Sequence, residues 1–176
     1  MDHFMEEVVV KKHKGVNEFL YILANILMVI MALLGFTMIT PLLTSFSIPA
    51  LVIVLSMIGG AVYIYLFKDR LRLEYEYTFT NGELDFAQVY NNVKRKSLGT
   101  MRVNNVEAFG KVDSPSFQKF INMSGVKRRN WFLNREANLY YFFYKKDTTN
   151  YVIIFEPSEE LVDMISKYVT FNAKHA

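Results

Sequence analysis

An α+β chain, with an N-terminal transmembrane helical hairpin followed by an antiparallel β-barrel capped by one C-terminal α-helix, is predicted by three features of the 176-residue sequence. Residues 19–67 contain no Lys, Arg, Asp, Glu or His. Leu71 to Thr80 alternates apolar and polar residues without a break and stops at Asn81-Gly82. Leu161, Met164, Ile165 and Tyr168 recur at i, i+3, i+4 and i+7. A water-facing helix would interrupt the first stretch with charge every few positions, so hydrocarbon is its expected surroundings. The second pattern is a strand with one buried face, and the third is a helix with one apolar stripe.

The uncharged stretch divides at Pro41 to Ser47, where proline and hydroxyl residues signal a turn. The spans run from about residue 19 to 40 and from about 48 to 67; 22 residues at about 1.5 Å each reach roughly 33 Å, enough for a hydrocarbon core of about 30 Å. A secretory signal peptide is disfavoured, because its apolar region runs only about 7–15 residues. Pro49 falls in the first turn of the second helix, where a missing N–H costs nothing. Lys11, Lys12 and Lys14 precede the first span, Lys68, Arg70 and Arg72 follow the second, and the connecting loop has no cation. The positive-inside rule then puts both termini in the cytoplasm, with Tyr21, Tyr63 and Tyr65 at headgroup level.

Within the hairpin, Asn25, Ser56, Gly59 and Gly60 are expected to pack the two spans together. Small residues let helix backbones approach, and the Asn25 amide is expected beside the glycines, donating to their open carbonyls. An ion or proton site at Asn25 would need an ionisable partner at its depth, and the spans supply none.

From residue 68 onward the composition changes, with 17 Lys+Arg against 13 Asp+Glu. Asn81-Gly82 suits a tight hairpin whose two central residues need positive φ, and Glu83 to Tyr90 returns from it. Further strands are expected near 93–99, 106–112, 126–132, 139–144 and 151–155, with no assignment for 117–124. Residues 139–144 and 151–155 are apolar at nearly every position, so both of their faces should be covered. Pro157-Ser158-Glu159-Glu160 signals a helix start. The expected organisation is a cytoplasmic segment 1–18, a hairpin 19–67 and a cytoplasmic domain 68–176.

The long opening strand, the Asn81-Gly82 hairpin, the final hairpin 139–155 and the closing helix 158–169 resemble the pleckstrin-homology (PH) superfold. Taken over nearly its full length, the chain also resembles a family of small bacterial membrane proteins with two N-terminal helices and a bacterial PH-like domain. The resemblance implies a PH-like barrel and a binding task, not a particular ligand. PH domains that grip phosphoinositides carry basic residues in the first hairpin loop. Here that loop is Asn81-Gly82, with no cation.

Cations gather elsewhere: at Lys68, Arg70 and Arg72, at Lys94-Arg95-Lys96, and at Lys127-Arg128-Arg129 beside Trp131. About three residues separate the second span from the first expected strand, a reach of at most ~10 Å. Within a Debye length of an anionic leaflet, each cation contributes about 1 kcal/mol. These residues are therefore candidates for contact with the membrane surface or a ligand.

The absence of cysteine removes disulfides, thiolate nucleophiles and thiolate metal sites. His3, His13 and His175 lie near the chain ends, and no Gly-x-Ser-x-Gly, Walker loop or His-Glu-x-x-His occurs. Glu74 and Glu76, and Glu159 with Glu160, fit solvent exposure and helix-dipole complementation better than a catalytic pair. Asn122-Met123-Ser124 matches a glycosylation acceptor that means nothing on a cytoplasmic bacterial domain. No enzyme activity, cofactor, metal or nucleic acid is expected. The expected partners are the lipid bilayer together with anionic headgroups or a membrane-proximal protein. The alternative is an accessory subunit that docks through its hairpin on a larger transporter or enzyme.

Overall fold

The computed structural model describes residues 3–174; His175, one of the three histidines, lies outside the described residues. The chain divides into two compact units. One holds residues 13–73 and 90–93; the other holds, of the described residues, 3–12, 74–89 and 94–174.

The helical unit is built from α1 (Gly15–Thr37), α2 (Ile39–Thr44) and α3 (Ile48–Phe67), followed by a 3-10 turn at Lys68–Arg72. The turn between the spans is shorter than expected. Pro41 lies inside the first turn of α2, where its missing N–H has no partner to lose, and only Ser45 to Ser47 separate α2 from α3. Ser47 then caps α3, its Oγ accepting from the Ala50 N–H at 3.4 Å. Gly35, Val54 and Ala61 are the buried residues of α1 and α3. Both helices are long and apolar enough to cross a membrane, and only 6% and 11% of their apolar windows are buried.

The sheet unit begins with a strand that the alternation at residues 71–80 did not suggest. Residues 4–9 form β1 (Phe4–Val9), antiparallel to β2 (Leu73–Thr80) in a register from Phe4 opposite Thr80 to Val9 opposite Tyr75. β2 starts two residues later than expected because Leu71 and Arg72 belong to the 3-10 turn. β3 (Glu83–Tyr90) and β4 (Lys94–Arg102) complete a four-stranded sheet in the order β1-β2-β3-β4. Asn81 and Gly82 have φ of 48° and 91°, as their hairpin requires.

The second sheet contains β5 (Ala108–Lys111), β6 (Lys127–Trp131), β7 (Tyr140–Lys146) and β8 (Thr149–Phe155), in the order β5-β7-β8-β6. β6 runs parallel to β8. The two sheets do not close into a barrel. β4 leads to β5 through a 3-10 turn at Val103–Asn105 rather than by pairing with it, and β6 ends the second sheet. The expected single, all-antiparallel barrel of about seven strands is thus replaced by two open sheets.

Tyr77 and Phe86 from the first sheet meet Phe155 and Trp131 from the second, with Phe142 stacked on Phe155 at 4.9 Å. Tyr77 is fully buried, and its hydroxyl donates to the Trp131 carbonyl and accepts from the Glu156 N–H at 3.2 Å. The segment left unassigned contains α4 (Pro115–Ile121), with Pro115 in its first turn and Ser114 as its cap. Phe117, Phe120 and Ile121 of α4 cover Tyr141, Phe143, Val152 and Ile154. Both faces of β7 and β8 are therefore covered, and this is why those strands read as continuous apolar runs.

Helix α5 (Glu159–Tyr168) buries Leu161 and Ile165 and starts at the Ser158 cap; α6 (Phe171–Lys174) follows it. The Glu7 carboxylate of β1 accepts from the Ser158 N–H at 2.9 Å and from its Oγ at 3.0 Å. Asn134 ties down the chain leaving β1, donating to the Val10 carbonyl and accepting from the Lys12 N–H.

Two predictions come from these contacts. Tyr77→Phe strands a buried carbonyl and a buried N–H and should cost about 1–3 kcal/mol in a denaturant titration. An unchanged midpoint would show that the hydroxyl does not link the sheets. Burial also pushes the Glu7 carboxyl above its ordinary 4.5, and the Ser158 hydrogen bonds oppose this only in part. The folded chain then holds that proton more tightly than the unfolded chain, so stability falls as pH rises through the raised value. As pH rises from the ordinary carboxylate range through that raised value, the wild type should lose stability relative to Glu7→Gln. A difference that does not vary with pH contradicts the assignment.

Candidate functional site

A strand turns successive side chains to opposite faces, and this divides both basic triplets. On β4, Arg95 pairs with the buried Glu76 carboxylate, while Lys94 and Lys96 lie on the opposite face. The two lysines are exposed and form no ion pair among the described residues. On β6, Lys127 and Arg129 take the Tyr151 face, with the Arg129 guanidinium 5.2 Å from the Tyr151 ring centre and 5.6 Å from Trp131. Arg128 takes the other face. Trp131 is buried in the core against Phe86 and is not a surface anchor. β4 and β6 are both edge strands, where lysine and arginine also discourage pairing with a foreign strand.

The Arg128 face opens into a cleft of about 550 Å³ between α4, β6 and the loop before β7. Its floor is Phe117, Ile121, Phe132, Leu139 and Ile154, and its rim carries Gln118, Asn122, Asn130, Arg128 and Arg135. Register explains the floor, because Asn130 lies opposite Ile154 and Arg128 opposite Val152, side by side on one face of the second sheet. Arg128 Nη2 donates to the Ile121 carbonyl at 2.8 Å, holding the guanidinium at the C-terminal end of α4. At the start of α4, the Tyr141 hydroxyl bonds Ser114 and Ser116, and burial pushes that phenol above its ordinary value. No carboxylate lines the cleft. Of these residues the sequence pointed only to Arg128. Arg135 and Phe132 follow β6 in an irregular segment, and nothing in their spacing points to a shared surface.

A second constellation lies within the helical unit. Arg72 pairs with Glu18 at 2.5 Å, stacks over the Tyr21 ring at 3.8 Å and donates to Asn91 Oδ1 at 3.0 Å. Asn91 in turn donates to the Tyr21 hydroxyl at 3.0 Å and to Asp69 Oδ1 at 3.1 Å. Arg72 is therefore committed to an internal network. Arg70 stays exposed over Phe67. Lys68 Nζ donates to Asn25 Oδ1 at 2.5 Å, so Asn25 does have an ionisable partner, reached by a long side chain from beyond the span. The Asn25 amide bonds the Tyr21 carbonyl of its own helix, not a carbonyl at the glycines.

Of the other residues expected to pack the spans, Gly60 does so: a Cβ there would overlap Met31 Cε. Ser56 is exposed with its hydroxyl turned back to the Ile53 carbonyl, and Gly59 has open space around it. Gly35, which the sequence did not single out, also packs the spans: a Cβ there would sit 3.0 Å from Ile58 Cγ1 and 3.4 Å from Met57 Cβ. Gly35→Leu should push the helices apart and cost about 1–3 kcal/mol, whereas Gly59→Leu should stay within about 0.5 kcal/mol. Thermal midpoints of the detergent-purified protein measure both. Equal effects would place the contact elsewhere.

No curated protein and no solved structure is significantly similar to this chain. A family model does match it, over residues 1–174, and its description is a bacterial PH-like domain. That match includes both apolar helices and both sheets, and PH-like domains suggest a binding module. The chain therefore belongs to the bacterial PH-like domain family DUF6106.

Proposed function

We propose that this protein is a non-enzymatic binding module anchored in the membrane by its two-helix hairpin, with the sheet unit engaging a protein or anionic headgroups at the cytoplasmic surface. The observation that carries the reading is the place of the helices in the chain. They are inserted between β1 and β2, two strands that pair with each other along six residues. A segment that leaves a sheet and returns to the neighbouring strand must cross a bilayer an even number of times. Two helices, each long enough to span, meet that condition. Lysine and arginine flank the hairpin before its first span and after its second and are absent from Ser45 to Ser47, so the positive-inside rule favours a cytoplasmic sheet unit.

The chain has no cysteine, so single introduced thiols report topology cleanly. In intact cells a membrane-impermeant maleimide should label Ser45→Cys, whereas Ser97→Cys should react only after permeabilisation. The reverse pattern would overturn the cytoplasmic orientation, and extraction of the protein by alkaline carbonate would overturn the anchor. Because the hairpin already supplies attachment, exposed cations act on orientation rather than recruitment, at about 1 kcal/mol each. The triple variant Lys94→Glu, Lys96→Glu, Lys127→Glu should remain in the membrane fraction but change the protease accessibility of the sheet unit. Unchanged accessibility would remove headgroups from the reading and leave a protein partner.

A further inference from the structure

We infer that the cleft between α4 and β6 is a binding site for a small amphipathic oxyanion: a carboxylate or phosphate monoester carried on a hydrocarbon body. The inference deepens the binding-module reading and rests on it, but it does not depend on the membrane anchor. Ligand sites typically combine an apolar floor with a few convergent polar groups in about 300–1,000 Å³, and this cleft of about 550 Å³ has that composition.

Charge decides the class of ligand. Two guanidiniums, Arg128 and Arg135, stand at the rim with no carboxylate among the lining residues. Arg128 uses Nη2 on the Ile121 carbonyl, which fixes its plane and leaves Nε and Nη1 without a protein partner among the described residues. Arg135 forms no hydrogen bond or ion pair among the described residues, and neither does the amide of Asn130. Guanidinium forks match carboxylate and phosphate oxygens in paired, charge-assisted hydrogen bonds. The hydrocarbon body would lie on Phe117, Ile121, Phe132 and Leu139, between the fork and the sheet. A cleft of about 450 Å³ beside β1 lacks this character. Its Glu7 and Glu156 carboxylates are already used on the Ser158, Leu133 and Asn134 N–H groups.

The arginines also have a structural explanation, and it differs between them. Arg128 caps the Ile121 carbonyl at the C-terminal end of α4, so removing it costs stability as well as any ligand. Arg135 caps nothing, which makes it the diagnostic residue.

The test uses the full chain in phosphatidylcholine nanodiscs, titrated calorimetrically with octanoate and octyl phosphate against empty nanodiscs. Octanol and inorganic phosphate serve as the apolar-only and anion-only probes. One saturable site is expected for octanoate, octyl phosphate or both, and the stronger of the two identifies the head group. Octanol and inorganic phosphate should bind at least about tenfold more weakly, and Arg135→Gln should lose about tenfold or more with its thermal midpoint unchanged. Gln118→Trp, which keeps both arginines and narrows the cleft, should also abolish binding. The inference is overturned by the absence of saturable binding beyond empty nanodiscs, by equal affinity for octanol, or by full affinity in either variant. Release of the protein by alkaline carbonate would remove the anchor and leave this site standing.

Discussion

The pairing of β1 with β2 constrains everything else in the molecule. Six residues at the start of the chain complete a sheet whose other strands lie beyond some sixty intervening residues, most of them apolar helix. Closing so long a loop costs conformational entropy, but that cost grows only slowly with length, and β1 offsets it by contacts at both ends. His3, the residue just before β1, exchanges backbone and side-chain hydrogen bonds with Asn81 at the β2–β3 turn. Its far end is held by Asn134 and by the Glu7–Ser158 contact with the start of α5. The strand thus locks the hairpin turn, the loop before β7 and the last long helix into one unit.

Within that unit, polar groups link the layers where aromatic packing alone would leave their relative position loose. The Tyr77 hydroxyl and the Tyr75 hydroxyl both reach carbonyls of β6, at Trp131 and Asn130. Glu156 collects three N–H groups of Leu133 and Asn134 on one carboxylate. Buried hydrogen bonds contribute little net energy each, but leaving any of these groups unpaired would be costly, so they select one arrangement of the sheets over its neighbours. The open edges at β4, β5 and β6 are short or basic, a common protection against strand addition.

The helical unit follows a different logic. Its helices bury few residues against each other, and contact depends on missing side chains at Gly35 and Gly60 rather than on a hydrophobic core. Charged side chains gather at one end, where Glu18, Tyr21, Asp69, Arg72 and Asn91 form a network. An arginine that its position in the sequence would assign to the membrane surface is satisfied there by a carboxylate, an amide and an aromatic ring.

Patterns with a short period were legible without the structure. The uncharged run, the alternation in β2, the Asn81-Gly82 turn and the stripe of α5 each express a constraint that acts within a few residues, and each gives the kind of element its residues predicted, with β2 shortened by two residues at its start. β1 escaped because six half-exposed residues carry too little alternation to stand out, and α4 because its apolar positions face a sheet contributed from elsewhere. The cleft was legible only at Arg128. Whether a cation belongs to a surface, an ion pair or a binding site depends on what distant segments place beside it, as Glu76 does for Arg95 and Ile121 for Arg128. The sequence alone determined which segments are apolar helix and which are half-buried strand, because backbone periodicity is local. The tertiary structure decided that the sheets stay open, that the basic triplets divide between faces, and that two arginines share a cleft, because each of these requires contacts between residues far apart in the chain.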